Sequence, residues 1–95
     1  MTKRKRFESV WDAIEASPDA SANMKARAEL MIVLSETVGG WGLSQAAAAK
    51  RLGLTQPRLN DLLRGRITKF SLDALMALAT RAGLAVRLEI MRPAA

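Results

Sequence analysis

The chain has 95 residues, with fifteen lysines and arginines against nine acids and a net charge of +6 at neutral pH. It contains neither cysteine nor histidine, which excludes a disulfide framework, thiolate metal sites, the common zinc sets and a histidine-based catalytic triad. One small domain is what this length supports, and such a domain buries only roughly 60 per cent of its unfolded surface, so a second protomer would add useful core.

No cofactor or metal is expected, and no convincing carboxylate pair marks an enzyme site. No apolar run approaches the ~20 residues of a membrane span, and the basic start, Lys3 to Arg6, leads into an amphipathic stretch rather than an apolar segment with a cleavage site. The sequence therefore reads as a cytoplasmic, non-enzymatic protein: a basic tail over residues 1–6 and a single domain over 7–95.

Taken in chain order, Phe7, Val10, Trp11 and Ile14 fall at helical spacing and predict a first helix that stops at Ser17-Pro18, since proline disfavours helical geometry in the residue before it. Ser21 is expected to cap a second helix with Met24, Ala28, Met31, Leu34 and Val38 on one face, ended by Gly39-Gly40-Trp41-Gly42. A third helix is expected from about Ser44 to Leu52, and a fourth from about Gln56 to Leu63. The fifth starts at Ser71 and stops at Gly83.

Beyond Gly83 the period changes to two. Val86, Leu88 and Ile90 alternate with Arg87, Glu89 and Met91, which predicts one strand over about 85–91, ended by Pro93. A lone strand leaves its ladder unsatisfied, so pairing with the same strand of a second copy about a two-fold axis is expected, with Arg87 of one chain opposite Glu89 of the other. A frayed or helix-covered tail is the rival reading. The fold class is thus all-α, a five-helix bundle with one C-terminal strand paired across a homodimer.

The excess charge is concentrated. Lys50, Arg51, Arg58, Arg64, Arg66 and Lys69 stand against the single acid Asp61 in that interval, a field that suits a polyanion as partner. In the same interval Ala48, Ala49 and Leu52 share an inward face, Gly53 can turn left-handed, Thr55 can cap, and Leu59, Leu62 and Leu63 point inward. Pro57, Asp61 and Arg64 then point outward, flanked by Arg58 and Asn60.

This pattern resembles the helix-turn-helix of the lambda-repressor-like, or XRE, family, in Ser44-Gln45, Ala49, Leu52-Gly53 and Thr55-Gln56. A wider resemblance, to the HigA-type antitoxin branch, rests on "FESVWDAIE", "MKARAELM", "LTQPRLNDLLRGRITKFSLDALMALATRAGL" and the closing strand. It implies a repressor that binds double-stranded operator DNA as a homodimer, with the second helix of the motif in the major groove. It also implies an antitoxin that covers a small ribonuclease toxin and represses its own operon, with Phe7 to Glu15 as the candidate toxin contact.

On that resemblance Ser44 and Gln45 meet the backbone at the first helix, and Thr55 and Gln56 open the recognition helix, where Gln56 bonds a phosphate or an adenine edge. Arg58 and Arg64 read guanine or anchor phosphates, and the sequence leaves both open. Asn60 can read adenine, and Pro57 can touch a thymine methyl. Asp61 orients Arg58 and Arg64, accepts from cytosine, or sits off the interface. Arg66, Thr68 and Lys69 are placed to meet the backbone, and the Lys3 to Arg6 tail is either a groove-binding arm or merely solubilising. The alternatives are a stand-alone XRE-type regulator and a protein-interaction module that binds no DNA.

Overall fold

The computed structural model of the protein describes residues 18–93. Among them are four α-helices, α1 (Pro18–Gly40), α2 (Gln45–Leu52), α3 (Gln56–Leu63) and α4 (Leu72–Arg81), with a 3-10 turn, Ile67–Lys69, between α3 and α4. The expected all-α architecture is present, with four helices where five were expected. The expected first helix, Phe7 to Ile14, and the tail Lys3 to Arg6 lie outside the described residues.

Long helix α1 is the spine, packing against α4, α3 and the 3-10 turn, while α2 packs on α3 and α4. The predicted stripe is the one it buries: Ala28, Met31 and Leu34 are fully buried and Val38 nearly so. They join Leu52, Leu59, Leu62, Phe70, Leu75 and Leu78 in one core. Burying each leucine or phenylalanine contributes about 1.5–3 kcal/mol relative to exposure, so this cluster rather than helix propensity holds such short helices together.

One expectation about α1 is corrected. Ser21 does not stand at its start, because the helix already runs from Pro18 and Ser21 lies within it. The expected stop at Gly39-Gly40-Trp41-Gly42 is where the helix ends: Gly40 is its last residue, the Trp41 amide donates to Val38 O at 3.1 Å, and Gly42 turns at φ +65. Helix α4 matches its expectation: Ser71 Oγ accepts from the Ala74 amide at 3.1 Å, and the Leu84 amide closes the far end on Ala79 O at 2.9 Å.

The C-terminal strand is also corrected. Residues 84–93 form no strand, since strand structure needs a ladder partner and no other extended segment among the described residues offers one. Leu88 is 83% and Ile90 84% exposed. Arg87, expected opposite Glu89 of another chain, pairs with Glu89 of its own at 3.8 Å. Residues i and i+2 of an extended stretch lie on the same side, which is what lets these two meet.

Candidate nucleic-acid interface

The corner between α2 and α3 is built almost wholly from adjacent residues. Ser44 Oγ accepts from the Ala47 amide at 3.2 Å and starts α2. Ala48 and Ala49 are 2% exposed and Leu52 is fully buried. At the far end the Leu54 amide reaches Ala49 O at 2.8 Å and the Gly53 amide reaches Lys50 O at 3.1 Å, the paired bonds of a Schellman closure. Gly53 makes this possible at φ +69, and a Cβ there would lie 3.2 Å from Arg81 Nη1. That same Nη1 donates to Leu52 O at 3.1 Å, satisfying a carbonyl that the end of α2 leaves free.

Helix α3 begins at once. Thr55 Oγ1 accepts from the Arg58 amide at 3.3 Å, and Pro57 occupies a first-turn position where a missing N–H costs nothing. Leu59 and Leu62 are fully buried behind it, whereas Leu63, expected inward with them, is half-buried. Gln56, Pro57 and Arg64 are exposed on the other side, and Asn60 is half-buried beside them. A second Schellman closure ends α3, with Gly65 at φ +71, the Arg66 amide on Asp61 O at 3.1 Å and the Gly65 amide on Leu62 O at 3.1 Å.

The turn that follows is held differently. Arg58 Nη1 donates to Lys69 O at 2.6 Å, and its guanidinium carbon lies 4.0 Å from the centroid of the Phe70 ring. From α1, Arg27 Nη1 donates to Phe70 O at 3.0 Å and to Ile67 O at 3.3 Å. Asp61 pairs with Arg66 at 3.2 Å and with Lys69 at 4.0 Å.

Of the three roles open to Asp61, these contacts do not show the first, the orienting of Arg58 and Arg64: its partners are Arg66 and Lys69. The chain reversal at Gly65 brings Arg66 back over Asp61, while the Arg58 guanidinium is taken up by Lys69 O. The Arg64 side chain makes no hydrogen bond or ion pair among the described residues and is exposed. Thr68 and Lys69 are exposed as well. The structure therefore brings the residues Ser44 to Lys69 onto the corner, α3 and the turn, with Ser44 and Thr55 also occupied as caps. Val86 to Ile90 form no part of that cluster of elements.

Two features escape the sequence reading. Arg51 stacks on Trp41, its guanidinium carbon 4.0 Å from the ring centroid, where Trp41 was named only in the segment that ends the helix before it. Arg27 was not singled out, although its place on the Met24, Ala28, Met31 face is the signal: a cation on an apolar stripe has a buried partner to find. Among the described residues no group of acids can hold a metal, and no helix is long and apolar enough to cross a membrane.

No curated protein matches the chain. The profile of a family described as "Helix-turn-helix domain" matches residues 14–91, most of the chain and every helix described above. By that match and by the capped corner that carries its two short helices, the chain belongs to the DNA-binding helix-turn-helix family.

Proposed function

We propose that the protein is a sequence-specific transcriptional repressor that places α3 in the major groove of operator DNA and α2 across the phosphate backbone. The observation that carries this reading is the division of α3: Leu59 and Leu62 are fully buried on one side, while Gln56, Pro57 and the unpaired Arg64 stand exposed on the other. Gln45 and Ser44, at the amino end of α2, contact phosphate. Gln56, Asn60 and Arg64 face base edges, and Arg66, Thr68 and Lys69 meet the backbone.

Arg58 enters this scheme with its guanidinium already bonded to Lys69 O and stacked on Phe70. Its contribution to discrimination is accordingly smaller than that of Arg64. Two copies bind through the segment 85–91, Val86, Leu88 and Ile90 of each covering those of the other. Support comes from the exposure of Leu88 and Ile90, since apolar side chains in alternation are ordinarily covered.

In its finer form the reading makes this chain an XRE-type antitoxin of the HigA branch that represses its own operon and neutralises a small ribonuclease, with residues 7–15 as the toxin contact. It rests on the quoted sequence resemblance, and co-expression with the product of the adjacent gene tests it: relief of growth arrest is expected, and unrelieved arrest removes the antitoxin role.

The repressor reading is tested by titrating the promoter fragment upstream of its own gene at two salt concentrations. Affinity that falls steeply with salt is expected, because each neutralised phosphate adds about 0.9 to the slope. Absence of binding sinks it. Arg64→Ala is expected to cost about 1–3 kcal/mol on the operator and to relax base preference, while Gln45→Ala weakens operator and random duplex alike.

A further inference from the structure

We propose that Arg27, on α1, is a positioning residue for the phosphate contacts made by the turn after α3. This rests on the DNA-binding reading above and deepens it, because Arg27 belongs to an element that the docking scheme keeps away from the duplex.

Arg27 is a costly choice for its position. It is partly buried on the inward face of α1, its Nε is buried without a hydrogen-bond partner, and no carboxylate of the described residues pairs with it. Its Nη2 lies 2.8 Å from Met24 Sδ, a weak acceptor. An apolar side chain would fill the site without desolvating a charge.

What the cation gains is the backbone of one turn. Nη1 takes Phe70 O and Ile67 O, 43 and 40 residues away in sequence. The turn has few bonds of its own: the Ile67 amide on Gly65 O, the Lys69 amide on Arg66 O, and a long 3.3 Å bond from the Phe70 amide to Ile67 O. Its carbonyls at 67 and 70 face Arg27, while Arg66, Thr68 and Lys69 are exposed. Arg27 thus fixes the inner side of a segment whose outer side carries two cations.

Asp61 constrains the same segment from the other side, through Arg66 and Lys69. That contact must yield, in part, when phosphate takes the two cations. The backbone bonds to Arg27 need not break, so they keep the turn in place when Asp61 releases it.

The test uses the full chain and a random-sequence duplex of about thirty base pairs, with Arg27→Met to keep the bulk, Arg27→Lys to keep the charge, and the double variant Arg66→Gln/Lys69→Gln. The slope of log affinity against log salt is expected to fall by about one to two in each, the equivalent of one or two phosphates. Adding Arg27→Lys to the double variant is expected to change the slope no further, because the contacts it positions are already gone.

Amide exchange of the free protein supplies a readout independent of DNA. Lys69 and Phe70 are expected to exchange at least several-fold faster in Arg27→Lys, with the α4 amides unchanged. Slopes equal to the parent's, or losses that add to those of the double variant, overturn the proposal. If the parent binds no duplex, the functional reading falls and the exchange measurement alone decides whether Arg27 holds the turn: faster exchange at Lys69 and Phe70 supports it, and unchanged exchange overturns it.

Discussion

The two corners that flank α3 open with the same pair of backbone bonds, at the ends of α2 and of α3, and are held by opposite means. At its start, Gly53, Thr55 and Arg58 settle the geometry over six residues, and one long-range bond, from Arg81, is added. At its end the Gly65 closure leads into a turn whose carbonyls are held by Arg27 and Arg58 and whose cations are held by Asp61. The first corner is written in neighbouring residues and sets the angle between helices. The second is assembled from side chains reaching across the fold, and it is the one that carries exposed charge. Short-range specification gives a rigid angle, whereas long-range cations leave a segment whose position depends on several separate contacts.

The comparison breaks most sharply at Gly53. Gly53→Ala puts a Cβ at φ +69 and 3.2 Å from Arg81 Nη1, and is expected to lower stability by about 1–2 kcal/mol in urea unfolding, with no dependence on salt. Thr55→Ala removes the cap on Arg58 and is expected to cost about 1 kcal/mol in the same measurement. Asp61→Asn should alter stability by less than about 1 kcal/mol, because Arg66 and Lys69 are about half exposed and screened, although the Asp61 side chain itself is 17% exposed. The same change should tighten random-duplex binding at low salt, since Arg66 and Lys69 no longer leave a carboxylate to reach phosphate. If Asp61→Asn proves the most destabilising of the three, the contrast between the two ends is wrong.

Legibility followed the range of the forces. Gly53, Thr55 and Ser71 were readable because a cap or a left-handed turn is decided within four residues, and the stripe on α1 because helical spacing fixes one face. Of the three readings of Asp61, the one that helix spacing suggested, orienting Arg58 and Arg64, is not the pairing seen, because the reversal at Gly65 supplies Arg66 and Lys69. The hold of Arg27 on Phe70 O spans 43 residues, which no local window contains. The strand was read from alternation alone, and alternation sets which side chains share a face without supplying the neighbour that a ladder requires.

The cation–π contact of Arg51 on Trp41 makes the corner visible to light. An indole under a guanidinium emits in a field set by that charge. A phosphate that drew Arg51 aside would shift the emission of Trp41 without any label. The chain has two tryptophans, so replacing Trp11 with phenylalanine would leave one fluorophore, standing at the entrance to α2.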